Sequence, residues 1–103
     1  MPLDVHVTFY RIAQEALNNI AKHARASRAV VELWCQPDRV KLGISDDGQG
    51  FEPSSISPEH LGLGIMRERA RAIGAELEIT SERGSGTQVV VTWQTMKQGA
   101  QDD

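Results

Sequence analysis

Cysteine is nearly absent from this 103-residue chain: Cys35 stands alone, so no internal disulfide forms and nothing requires an oxidising compartment. Aromatic residues reach only 5%. No apolar run approaches the ~18 residues of a membrane span, and no signal-peptide pattern opens the chain. A basic excess is missing as well. Eleven Lys and Arg against 14 Asp and Glu leave a net charge of −3, which argues against an electrostatic nucleic-acid binder. There is no Gly-Lys-Ser/Thr of a P-loop, and the protein-kinase signatures do not occur. What remains, 40% hydrophobic and 24% charged, suits one small folded domain with a single core. Any activity needing a second domain must borrow it.

The apolar pattern divides the chain into two helices and two hairpins. Phe9, Ile12, Ala13, Ala16, Leu17, Ile20 and Ala24 recur at three-and-four spacing, predicting a helix over 7–24 with Asp4 as its cap. Ala29 to Cys35 is rich in strand formers, Pro37-Asp38 turns, and Val40, Leu42 and Ile44 alternate with polar neighbours. The stretch 46–64 is irregular and glycine-rich. A second helix is expected over 65–73, closed by Gly74, followed by a hairpin in which 82–86 turn and 87–93 return. Residues 1–93 read as the domain and 94–103 as a polar, frayed tail. This order predicts an α+β fold, a two-layer sandwich with helices on one face of a mixed, mostly antiparallel sheet.

Three constellations carry chemistry. On the first helix Arg11, Glu15, Asn18, Asn19 and Lys22 gather opposite the apolar stripe, with His23 nearer its margin. Two consecutive mid-helix Asn residues each cost roughly half a kcal/mol relative to Ala. They are either a tolerated polar face or ligands. An Asn carbonyl can supply one oxygen to a hard cation such as Mg²⁺ while phosphates supply others, and Glu15 one turn back can take a proton. Asp47-Gly48-Gln49-Gly50 follows a predicted strand. Asp-Gly is a common hairpin turn, but no strand-like run follows Phe51. A carboxylate there could accept a hydrogen bond from an exocyclic amine such as adenine's. Gly62-Leu63-Gly64 leads into the second helix, where free amides and the helix dipole favour phosphate; a bland connector would look the same.

The remaining candidates have plainer readings. His6 and His60 lack metal-ligand companions and read as surface residues. Cys35, in a predicted strand, reads as structural, and Trp34 and Trp93 as core or sheet-face packing. Arg67 and Arg71 share a helix face that is either solvated or turned to phosphate.

Order and spacing of these motifs are more specific than any one of them. Residues 15–23, Glu-Ala-Leu-Asn-Asn-Ile-Ala-Lys-His, resemble the N box of the gyrase, Hsp90, histidine-kinase and MutL ATPase superfamily. Asp47-Gly48-Gln49-Gly50 resembles its first glycine box, Gly62-Leu63-Gly64 its second, and Gly84-Ser85-Gly86-Thr87 its glycine-threonine element. Arg25-Ala26-Ser27 and residues 64–70, Gly-Ile-Met-Arg-Glu-Arg-Ala, are similar to nitrate/nitrite-sensor and related sensor histidine kinases. The resemblance covers about residues 5–93.

That resemblance implies a Bergerat-type sandwich binding ATP with Mg²⁺ beneath a short lid over 51–61. Asn19 would ligate Mg²⁺ and Glu15 would be the catalytic carboxylate. Lys22 and His23 would lie near the phosphates, Asp47 would read the adenine amine, and Gly48 and Gly50 would shape the base pocket. Gly62, Leu63 and Gly64 would cradle phosphates, with Thr87 near the adenine. The implied reaction transfers the γ-phosphoryl to a histidine on a separate dimerisation domain of the parent kinase, and a response regulator would be the downstream partner. No acceptor-histidine segment is present, and a strand expected before the first helix is missing. The chain therefore reads as the catalytic domain of a cytoplasmic region whose parent can be membrane-anchored, with no nucleic-acid or direct membrane contact of its own. An anti-sigma-factor-like Ser kinase of the same fold, or a degenerate nucleotide-binding module, are the alternatives.

Overall fold

The first helix begins before its apolar periodicity becomes obvious. In this computed structural model, which describes residues 2–50 and 63–95 (only the backbone for 23 and 24), α1 spans Leu3–Asn19. Pro2, extended at φ −58° and ψ 153°, precedes it, and its carbonyl accepts the N–H groups of Val5 and His6, both at 3.1 Å. Asp4 makes no capping hydrogen bond; it lies in the first turn, where a carboxylate suits the helix dipole. Val5, Phe9, Ile12 and Ala16 form the buried stripe. The chain then widens into a π-helical turn, Ile20–Ala24, and Arg25, left-handed at φ 53° and ψ 40°, ends it. Asn18 and Asn19 thus sit where α-helix gives way to π-helix, the sort of irregularity that often marks functional sites.

Among the described residues four strands follow: β1 (Ala29–Gln36), β2 (Arg39–Asp46), β3 (Glu76–Glu82) and β4 (Gly86–Gln94), with α2 (Leu63–Ala72) between β2 and β3. The sheet order is β1-β2-β4-β3, and every ladder is antiparallel. α2 starts two residues before the expected position and closes on Gly74. The Gly74 N–H donates to Arg71 O at 3.0 Å and the Ala75 N–H to Ala70 O at 2.9 Å, the paired bonds of a Schellman cap.

Alternation decides what each strand buries. Val40, Leu42 and Ile44 of β2 and Val89 and Val91 of β4 point to the helix-covered face and meet Phe9, Ile12, Ala16, Met66 and Ala70 in one core. On the other face Trp34 lies against Gly43, and Lys41 Nζ stands 5.3 Å from its ring centroid. Trp34 is therefore a sheet-face residue, while Trp93 packs at the core's edge. β1 is an edge strand exposed along its whole length, Cys35 included. Strand composition there marks the strand but not a buried site.

Candidate functional site

The inner face of the sheet changes character at one end. Ile79, Val89 and Ile44 form one cross-strand row, and the next row is Ser81, Thr87 and Asp46. Asp46 continues the inward set Val40, Leu42, Ile44, and Thr87 continues Val89 and Val91, so both face the helix layer. They are direct register partners. The Thr95 N–H donates to Asp38 O at 3.0 Å, which by alternation makes Asp46 and Thr87 a hydrogen-bonded pair, with Cα atoms about 5.5 Å apart.

This row is a set of acceptors. Asp46 Oδ1 accepts the Gly48 N–H at 2.7 Å, and Oδ2 has no partner among the described residues. The Ser81 hydroxyl lies 3.2 Å from Gly86 O, to which it donates, and 2.8 Å from Thr87 Oγ1. With the Ser81 proton directed at that carbonyl, Thr87 donates to Ser81 and keeps its own lone pairs as acceptors. Asp46 and Ser81 were not singled out by sequence. Counting strand parity from Val40 through Ile44 was the signal that would have found Asp46.

Glycines close the floor of this corner. Gly50 adopts φ 63°, and a Cβ on it would collide with the Glu82 carbonyl oxygen and stand 2.9 Å from Gly86 O. Gly86 adopts φ 87°, and a Cβ there would collide with the Asp46 carbonyl oxygen. The Gly84 N–H donates to Gln49 O at 2.7 Å. Residues 46–50 and 82–87, far apart in sequence, are thus in direct backbone contact, and Gly48 among them is buried.

The other expected residues take varied positions. Glu15 and Asn19 lie one turn apart on α1, both half-buried, and Lys22 is exposed on the π-turn. His23 is also on that turn; its side chain, Gly62 and the segment expected to form a lid lie outside the described residues. Leu63 and Gly64, both half-buried, form the first turn of α2, so Gly64 is helical and not part of a loop. Asp47 is exposed and turned the other way. Its Oδ1 accepts the N–H groups of Ser27 at 2.9 Å and Arg28 at 3.0 Å, and its Oδ2 accepts the Ser27 hydroxyl at 2.7 Å. The Ser27 hydroxyl first, and then the Arg28 amide, hold its carboxyl below the usual carboxylate range. Among the described residues no three His, Cys, Asp or Glu side chains gather as a metal site. Asn19 and Glu15, both half-buried and one turn apart, are oxygen-bearing side chains of the kind that could join phosphate oxygens around a hard cation.

Comparison with known proteins places the chain in a family. Residues 4–97 match the family described as histidine kinase-, DNA gyrase B-, and HSP90-like ATPase. The chain is 45% identical over 83 residues to the signal transduction histidine-protein kinase/phosphatase UhpB of Salmonella typhimurium, covering 81% of this chain and 16% of that protein. It is 36% identical over 103 residues to the sensor protein VraS of Staphylococcus aureus, covering 100% of this chain and 30% of the relative. In fold it resembles the histidine kinase domain of the Erythrobacter litoralis EL346 blue-light activated histidine kinase, with a TM-score of 0.75 and 27% identity over 97% of this chain and 49% of the other. The chain thus spans less than a third of the length of these two curated relatives. No helix among the described residues is long and apolar enough to cross a membrane. This chain belongs to the histidine kinase-, DNA gyrase B- and HSP90-like ATPase family, as an ATP-binding domain of the sensor-histidine-kinase kind.

Proposed function

We propose that this domain binds Mg-ATP and transfers its γ-phosphoryl to a histidine carried on a separate dimerisation domain of the parent kinase, from which a response regulator would draw it. The observation that carries the reading is the acceptor pair Asp46 and Thr87 at the glycine-floored end of the inner sheet face. Two adjacent acceptors, one of them charged, complement the donor edge of an exocyclic amine such as adenine's. The base-reading carboxylate in this proposal is Asp46, because the Asp47 carboxylate is already engaged by Ser27 and Arg28 on the opposite side.

Asn19 would hold Mg²⁺ through its side-chain oxygen, and Lys22 and His23 would meet the phosphates. When bound, the cation would neutralise triphosphate charge that develops during transfer. Glu15, half-buried one turn from Asn19, would orient the attacking imidazole and take its proton. Leu63 and Gly64 at the start of α2, with Gly62 before them, would bring backbone amides to the phosphate end. Gly48 and Gly50 shape the floor beneath the base.

The test mixes this domain, ATP labelled at the γ-phosphorus and the parent's dimerisation domain. An acid-labile phosphorylated acceptor is expected. An acid-stable product would favour the Ser-kinase alternative, and no transfer despite ATP binding would contradict the kinase reading.

A further inference from the structure

Asp47 points away from the base-reading row, and three hydrogen bonds converge on its carboxylate. Their donors belong to Ser27 and Arg28, two and three residues beyond the left-handed Arg25 that ends the π-turn. The Asp47 N–H also donates to Arg28 O at 3.3 Å, which adds one pair to the β1–β2 ladder. The same residue stands between Asp46, which faces the row of acceptors, and Gly48, whose N–H donates to Asp46 Oδ1. One side chain therefore ties the exit of the α1–π-turn unit to the end of β2, where the base-reading Asp46 sits.

We propose that Asp47 is a positioning residue. Its clasp on Ser27 and Arg28 fixes the spacing between Asn19 and Lys22 on one side and Asp46 on the other, so that one nucleotide can reach both. The inference rests on the ATP-binding reading above. A carboxylate suits the task because two amides and a hydroxyl converge on two acceptor oxygens. An Asn side chain can do nearly the same: its oxygen accepts both amides, and its NH₂ donates to Ser27 Oγ once that hydroxyl rotates its proton away. Alanine can do none of this. Asn at a base-contacting position would behave differently, presenting a donor where the amine needs an acceptor. A small misplacement of otherwise intact groups is costly wherever one ligand spans them.

The experiment measures binding of Mg-ATP by calorimetry, and of adenosine alone by NMR titration, to the wild-type chain and to Asp47→Ala, Asp47→Asn and Ser27→Ala, each checked for folding by circular dichroism. Asp47→Ala is expected to weaken Mg-ATP binding by at least about fivefold, and Asp47→Asn by no more than about twofold. Ser27→Ala, which keeps both amide bonds, falls between them and remains informative should Asp47→Ala fail to fold. Adenosine, which touches only the base pocket, is expected to bind all four alike. Equal loss in Asp47→Asn and Asp47→Ala would overturn the clasp, because the carboxylate would then act on the nucleotide itself. Unchanged Mg-ATP affinity in Asp47→Ala and Ser27→Ala would overturn it, as would equal weakening of ATP and adenosine, the mark of a loosened fold. Failure of the wild-type chain to bind Mg-ATP would overturn the nucleotide reading beneath it.

Discussion

Replacing Gly86 by Ala separates two effects that glycine usually hides together. Gly84 and Gly86 have nearly the same backbone, at φ 83° and φ 87°. A Cβ on Gly84 meets nothing within 4 Å, whereas one on Gly86 collides with the Asp46 carbonyl oxygen and lies 3.0 Å from Asp46 C and 3.2 Å from Asp47 Cα. Both substitutions incur the left-handed penalty of about 1–2 kcal/mol, partly offset by about 0.4–1 kcal/mol from a stiffer unfolded chain. Only Gly86→Ala must also push β2 and β4 apart, since every colliding atom is backbone. Overpacking of that kind costs roughly 1–3 kcal/mol more. Gly86→Ala should therefore lose about 2–4 kcal/mol of a total on the order of 5–15, and Gly84→Ala about 1 or less. For a domain of this size the larger loss lowers Tm by at least about 10 °C. Guanidinium unfolding of both variants measures the contrast, with the midpoint shifting and the slope unchanged. Equal stability of the two would refute the close approach of residue 86 to Asp46.

Three further outcomes follow from the same geometry. Ile12→Ala empties a fully buried position in the core and should cost about 2–5 kcal/mol by denaturant unfolding; a loss under 1 would contradict the packing of α1 on the sheet. Glu15→Gln should keep Mg-ATP affinity within about twofold while slowing phosphoryl transfer to a supplied acceptor domain by at least about a hundredfold, and equal rates would remove Glu15 from catalysis. The Asp47 carboxyl lies below its ordinary value, so its contribution to stability is complete above the unfolded value of about 4 and is lost as pH falls through the lower folded one. An acid titration of stability should accordingly be shallower for Asp47→Asn than for wild type, and identical profiles would count against the bonds to Ser27 and Arg28.

Much of the architecture was legible because period-two patterns are unambiguous. Val40, Leu42 and Ile44 announced a strand with one buried face, and Gly74 announced the end of α2. The start of α1 was not, since Pro2 performs the capping with a backbone carbonyl and no side-chain signal. The strand formers of 29–35 mark β1 but not its burial: Val31 and Leu33 remain 50% and 56% exposed because the helices rest on the strands beside it. The motifs of the candidate site could be read in order, yet their mutual contacts could not. Only the folded sheet brings residues 46–50 against 82–87, and only the alternation of β2 turns the two adjacent aspartates to opposite sides. Asn18 and Asn19 gain a structural explanation as well, at the α-to-π junction, alongside the chemical one.

Calorimetric titration of ATP, with and without Mg²⁺, into the wild-type chain and Asp46→Asn tests the central claim most directly. Saturable binding that strengthens with Mg²⁺ is expected, together with at least a tenfold loss in Asp46→Asn, about 1.4 kcal/mol. No saturable binding to the wild-type chain, or an unchanged affinity in Asp46→Asn, would contradict the nucleotide site built on Asp46 and Thr87.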